Sequence, residues 1–329
     1  MSAVPESRLL KKLRSAERAV DASSVALFRL GEMCNNKCPM CSNTGRPAAF
    51  FIEEEELLRR VTFLQQQGFS RVVLTGGEPT IHPSFWRVVE ALGRHAMAWD
   101  INTHGRSFAD PEFARRAVRE GLGRAIVSLH SHRVEPSMAI FGVSERGHHE
   151  TVAGIEHLLA ERVWLMLNCV LSSLNLDHIE EYVRFCVERF GTRYVLKLVF
   201  PSTTGKGGGW EPIHLTYAEA GPVARRARQI AREAGLPMVF ESFPNCVLDA
   251  PKARNAGRSG FGETHYLEDI EGAQVFPIDH IETSLSVYGP QCSGCRALRR
   301  CPGVAETYAS RVGTAELTPF LKDPPDPAR

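Results

Sequence analysis

The sequence predicts an α/β protein, a partial (β/α)6 barrel followed by a small loop-rich domain. Three observations carry this. Short apolar runs of strand length alternate with helix-like segments six times between residues 24 and 240, the order expected of parallel βα units. The strand runs are nearly continuous in apolar residues, as when helices cover both faces of a sheet. After Phe240 the alternation stops, and Pro244, Pro251, Gly257, Gly260 and Gly262 interrupt every periodic segment. Six units are too few for an ordinary eight-fold barrel, so the sheet is expected to stay open.

The elements follow in order. The opening stretch, residues 1–23, reads as a short amphipathic helix without an apolar signal core. The first strand begins at Ser24 and stops at Gly31, and EEEELLRRVTFLQQQGF is the first helix of the barrel. SRVVLTGG is a strand, PSFWRVVEALGRH a helix, AWDINTHG a strand and PEFARRAVREGL a helix. RAIVSLHS, HETVAGIEHLLAER, VWLMLNCVL and LDHIEEYVRFCVERF continue the alternation, and YVLKLVF with YAEAGPVARRARQIAREAG completes it. The barrel is therefore assigned to 24–240, a cysteine-centred appendage to 241–318 and a disordered tail to 319–329. TTGKGGGW lacks the full phosphate-loop pattern and is a flexible loop.

Composition narrows the function. The net charge of +1 shows no nucleic-acid or membrane footprint. No apolar run is long enough to span a bilayer, so a cytoplasmic location is expected. In a reducing compartment, clustered cysteines are more often metal ligands or catalysts than disulfides. Of nine cysteines, six fall in two groups, Cys34/Cys38/Cys41 and Cys292/Cys295/Cys301. Cys246 stands alone in FPNC, while Cys169 and Cys186 sit in apolar segments as small buried hydrophobes.

The first group comes from one loop, GEMCNNKCPMCSNTG. Structural zinc commonly takes four ligands as two spaced pairs, and no nearby fourth ligand is evident. Three soft thiolates suit an iron–sulfur cubane, leaving one iron without a protein ligand. One βα unit later, TGGEPT (Thr75 to Thr80) ends the second strand. Its glycines would let backbone approach a ligand closely, and Glu78 can accept hydrogen bonds from an ammonium group. Both motifs fall at the same barrel mouth, where such folds place their chemistry.

Together these residues resemble the radical S-adenosylmethionine (radical SAM) family, over about 24–240. The resemblance implies that Cys34, Cys38 and Cys41 hold a 4Fe–4S cluster whose open iron binds the amino and carboxylate groups of S-adenosylmethionine. It implies that Gly76, Gly77, Glu78 and Pro79 cradle the methionine end. Reductive cleavage of the sulfonium would then give a 5'-deoxyadenosyl radical that abstracts hydrogen from a substrate. Family members often carry Thr-Asn-Gly at the end of strand three; here Asn102 precedes Thr103-His104-Gly105. By the same likeness Ser128, at the end of strand four, approaches the ribose, and Asn168, on strand five, faces the cofactor. Met40 takes the position before the third cysteine, where an aromatic residue often packs near adenine.

The second group, CSGCRALRRC, leaves Cys246 as the one upstream thiol in the same irregular segment. Cys246, Cys292, Cys295 and Cys301 would enclose one auxiliary 4Fe–4S cluster, Cys246 either completing the ligand set or leaving an open iron for substrate, with structural zinc as the competitor. The arrangement resembles the truncated "twitch" form of SPASM domains. Cys-Pro-Gly followed by Tyr308, Gly313 and AELTPF adds to the likeness.

The resemblance implies a maturase acting on a ribosomal peptide or amino-acid-like substrate, by crosslinking, epimerisation or oxidation. The alternatives are a small-molecule dehydrogenase or cyclase and, in a different class, a non-enzymatic iron–sulfur carrier or redox sensor. GGEP argues against a carrier, which needs no amino-group cradle. The expected partners are a flavodoxin- or ferredoxin-type electron donor and the substrate itself. About 23 residues precede strand one, too few for a peptide-recognition domain, so a separate recognition protein is a further candidate partner. Lys197, Glu241 and His130 are candidate substrate-facing or proton-transfer residues, set against the plainer reading of buried, paired or packed groups; His132 is similarly placed.

Overall fold

The computed structural model describes residues 20–21, 23–41, 50–202, 209–252, 264–268, 275–277 and 286–321, with backbone alone for 264–268 and 275–277. The expected N-terminal helix, the glycine-rich loop at 203–208 and the end of the tail lie outside them. The strands are β1 (Ser24–Arg29), β2 (Arg71–Thr75), β3 (Ala98–Thr103), β4 (Leu122–Ser128), β5 (Trp164–Val170), β6 (Val195–Val199) and β7 (Met238–Glu241). Between them run α1 (Glu54–Gln66), α2 (Phe85–Arg94), α3 (Pro111–Arg119), α4 (Val134–Phe141), α5 (Glu145–Ala160), α6 (Ile179–Phe190) and α7 (Tyr217–Glu233). The sheet order is β7-β6-β5-β4-β3-β2-β1, all parallel, and among the described residues no pairing closes it into a barrel. Among the described residues, no helix is long and apolar enough to cross a membrane.

Sequence and packing agree on why these segments fold this way. One face of each central strand is sealed by helices: Val127, Leu167 and Leu196 are fully buried there and lie in register. The opposite face carries Asn102, Ser128, Asn168 and Lys197, which stay half-buried. A Thr216/Glu219 capping box starts α7, and Asp110 caps α3 with Pro111 at its first position. Glu54, Glu55 and Glu56 favour the positive start of α1.

The sheet is larger than six units. β7 is a seventh parallel strand, and the expected boundary at 240/241 falls inside it. β8 (Thr264–Glu268) returns from the cysteine-rich segment to pair parallel with β1, and β9 (Val275–Pro277) adds antiparallel to β8. These strands are short and flanked by Gly and Pro, so periodicity does not mark them. The remainder folds as a β10 (Ser286–Val287)/β11 (Val304–Ala305) pair and α8 (Glu306–Val312). It docks on the start of α7: Tyr217 N donates to Tyr308 Oη at 3.0 Å and Ala218 N to Glu316 Oε2 at 2.8 Å. Tyr217 and Tyr308 pack at 4.4 Å between ring centroids, with Phe200 stacked on Tyr217 at 4.0 Å.

Candidate functional site

The loop bearing Cys34, Cys38 and Cys41 leaves the end of β1 and is fixed first by the end of β2. Gly77 N donates to Gly31 O and Glu78 N to Met33 O, both at 2.8 Å. A Cβ on Gly77 would lie 2.0 Å from Met33 O, and one on Gly76 2.2 Å from Gly31 O. The two glycines thus let the cysteine loop lie directly on the strand end. The approach foreseen for a ligand is made by the chain itself, and Gly76, at φ +120°, also needs the freedom of glycine.

A second support comes from α4. Lys37 N donates to Phe141 O at 3.0 Å and the Cys38 thiol to the same oxygen at 3.5 Å. Gly142 ends α4 in the left-handed region (φ +60°), and a Cβ there would meet Lys37 O at 2.5 Å. The third support is the end of β3. His104 Nδ1 accepts from Arg106 N at 3.1 Å, so Nε2 carries the proton and donates to Asn35 Oδ1 at 2.6 Å. Arg106 Nη1 donates to Asn36 Oδ1 at 3.0 Å and Asn35 O at 3.3 Å, while its Nε pairs with Glu150 at 2.7 Å. Burial pushes the Cys34 thiol up to about 11, and Cys38, with Cys34 and Cys41 beside it, up to about 12. Without a metal these thiols stay protonated at neutral pH, so loading a cluster releases protons.

Glu78 is held from several sides. Its carboxylate is 3% exposed and already held by the chain. Thr80 Oγ1, Thr103 Oγ1 and Thr80 N donate to Oε1 at 2.6, 2.7 and 3.2 Å, and His104 N to Oε2 at 2.9 Å. It binds the ends of β2 and β3 together, with three donors on Oε1 and one, the His104 N–H, on Oε2. Thr103 is spent on the same task, and Pro79 opens the short turn carrying Thr80.

The acceptors left over are elsewhere. Asn102 Oδ1 and Asn168 Oδ1 are buried and make no hydrogen bond among the described residues. Ser128, Asn168 and Lys197 are in register on β4, β5 and β6. A buried amide oxygen without a donor is costly unless a ligand supplies one, so this row fits a bound molecule rich in amino or hydroxyl groups. Met40 is half-buried beside Cys41.

Lys197 and Glu241 meet at 2.7 Å across the β6–β7 edge, with side chains 14% and 31% exposed. His130 is packed: its ring stacks on Phe141 at 4.5 Å and Nδ1 accepts from Val170 N at 3.2 Å. Burial drives its pKa down to about 3, so it is a neutral packing group and not a proton carrier at neutral pH. His132 borders Glu181 at 3.6 Å. Cys169 and Cys186 are fully buried, as expected.

Cys246, Cys292, Cys295 and Cys301 line a single cavity of about 340 Å³, part of it open to solvent, with Pro244 and Leu317 among its walls. The end of β7 delivers Cys246 to the other three. Backbone N–H groups face the sulfurs: Gly303 N lies 3.5 Å from Cys301 Sγ, which also receives Asn245, while Cys246 receives Thr318 and Val247. Such N–H···S contacts tune and hold iron–sulfur clusters. Among the described residues no group of three or more His, Cys, Asp or Glu side chains is already drawn together to hold a metal ion.

A parallel, open βα sheet with three loop thiols and unpaired amide acceptors at one end is the architecture of enzymes that mount a reactive cluster at a barrel mouth. Residues 28–186, just under half of the chain, match the radical SAM superfamily model, and this segment is a radical SAM domain. Radical SAM proteins bind a 4Fe–4S cluster and S-adenosylmethionine. A probable GTP 3',8-cyclase of Thermococcus kodakarensis is 30% identical over 173 residues, 52% of this chain and 54% of that protein. The mycofactocin maturase MftC of Mycobacterium ulcerans is 25% identical over 221 residues, 66% of this chain and 57% of that protein. This chain thus spans little more than half the length of these curated relatives. Among solved structures, Streptococcus suis SuiB bound to S-adenosylmethionine superposes with a TM-score of 0.62 at 14% identity, covering 95% of this chain and 80% of SuiB. The protein anSMEcpe with bound AdoMet gives 0.63 at 14% identity, covering 91% and 93%. At such identities the structural matches establish the fold.

Proposed function

We propose that this protein is a radical SAM enzyme that modifies a peptide or amino-acid-like substrate. The observation carrying the proposal is the cysteine loop, pinned by three strand or helix ends beside the unpaired Asn102 and Asn168 oxygens. Cys34, Cys38 and Cys41 hold the first cluster. The bound cluster and S-adenosylmethionine supply the one-electron cleavage that yields a 5'-deoxyadenosyl radical. Gly76, Gly77, Glu78, Pro79 and Thr103 fix the loop on which the cofactor rests. Asn102 and Asn168 accept hydrogen bonds from it, Ser128 approaches the ribose, and Met40 packs near the base. Cys246, Cys292, Cys295 and Cys301 enclose an auxiliary 4Fe–4S cluster. Lys197 and Glu241, at the edge of the row, present opposite charges to a polar substrate. A flavodoxin- or ferredoxin-type protein donates the electron, and a separate protein recognises the peptide.

The maturase relatives favour a peptide substrate; the cyclase relative, at higher identity, favours a small molecule as the second reading. The anaerobically reconstituted protein with dithionite and S-adenosylmethionine should release 5'-deoxyadenosine. Precursor peptides and nucleoside triphosphates compared in that assay separate the readings by which one stimulates turnover and leaves a product of altered mass. Absence of 5'-deoxyadenosine from iron-replete protein would overturn both.

A further inference from the structure

We infer that Arg106, poised by Glu150, sets the reduction potential of the first cluster. The inference rests on the assignment of that cluster to Cys34, Cys38 and Cys41. Arg106 follows Gly105 at the end of β3, in the turn Arg106–Ala109. Its guanidinium is shared between two tasks. The Nη1 end reaches the backbone oxygen of Asn35 and the side chain of Asn36, the two residues after Cys34. The Nε edge is paired with Glu150 on α5, whose other oxygen takes Arg146 at 2.8 Å. The Arg106 side chain is 21% exposed and Glu150 likewise, so water screens them only partly.

The charge arrangement gives this pairing a direction. A cluster carried by three thiolates becomes more negative when it accepts an electron. A fixed cation close to Cys34 stabilises the reduced form more than the oxidised one and raises the potential. Glu150 offsets part of the cation while aiming it at the loop. His104 holds Asn35 from the other side as a neutral ring, its Nδ1 accepting from Arg106 N while Nε2 donates to Asn35 Oδ1. Arg106 is therefore a positioning residue acting on the cluster through charge, and Glu150 is its moderator.

Reductive titration of the full-length, doubly reconstituted protein, followed by electron paramagnetic resonance, tests this. The first cluster is identified as the signal that changes when S-adenosylmethionine is added. Arg106→Gln should shift its midpoint to a more negative potential and Glu150→Gln to a more positive one, while Arg106→Lys stays near the parent. A purely structural clamp would move both neutral variants the same way or neither, which would overturn the inference. If Arg106→Gln loads no cluster, a positive shift in Glu150→Gln with Arg106→Lys at the parent value still supports the inference, and a Glu150→Gln midpoint that is unmoved or more negative overturns it. A parent protein with iron but no signal responsive to S-adenosylmethionine would bring down the cluster assignment, and this inference with it.

Discussion

Met33 O and Gly31 O sit where side chains on Gly77 and Gly76 would go, so the site depends on two missing methyl groups. In Gly77→Ala the new Cβ meets backbone rather than a movable side chain. The loop has to retreat, at a cost of roughly 1–3 kcal/mol, and the hydrogen bonds of Gly77 N and Glu78 N go with it. The barrel core contains neither residue. Gly77→Ala should keep its circular dichroism and lose the iron of the first cluster while retaining that of the auxiliary one. A variant with the parent's full iron content would show that the loop does not need this seat. The GGEP motif was visible in the sequence, but the role of its glycines was not: close approach to a ligand and close approach to another loop call for the same residue.

At the scale of elements, six strands and most helices were legible because strand-length apolar runs and amphipathic helices alternate cleanly. α4 was not. Eight residues long, with Pro136 inside and few charges, VEPSMAIF shows no polar face, yet its end supports the cysteine loop. His104 and Arg106 escaped notice as partners of Asn35 and Asn36 because about seventy residues separate them in sequence. The pairing of Lys197 with Glu241 was readable as two polar residues in apolar strand runs. Cys246 could be grouped with Cys292, Cys295 and Cys301 by chemistry; its delivery by the seventh strand could not. The strands also carry a charge cluster away from the site. Asp100 on β3, 3% exposed, pairs with Arg71 on β2 at 3.1 Å and Arg124 on β4 at 2.6 Å. Asp100→Ala leaves two guanidinium groups facing each other. Arg71 and Arg124 keep a route to water, so the loss should fall toward the low end of about 3–5 kcal/mol. Urea unfolding would register it, and iron loading at the other end of the strands should be unchanged. A midpoint equal to the parent's would mean that the cluster contributes nothing to the stability of the sheet.

For the molecule as a whole, buried histidines predict how the fold meets acid. Buried His130 and half-buried His132 follow β4, buried His148 lies on α5 and buried His178 on the turn before α6. Burial is the leading cause lowering each pKa, with neighbouring His178 and Arg133 adding to the effect at His132 and Arg133 at His178. In the unfolded chain these rings take a proton near the ordinary value of about 6.5, whereas in the folded protein they resist it, His130 down to about 3. Between those limits the unfolded state binds more protons, so stability rises with pH and is lost as pH falls. The contribution is fully present above the unfolded value and drains below it, by at most about 1.4 kcal/mol per pH unit for His130. His130 stacks on Phe141, which accepts from Lys37 and Cys38, so the acid-sensitive region lies directly against the cysteine loop. Thermal unfolding of the anaerobic holoprotein should therefore shift to lower temperature from pH 7.5 to 5.5, with the first cluster bleaching at or before the global transition. An unfolding temperature constant across that range would contradict the neutral, buried state assigned to these rings.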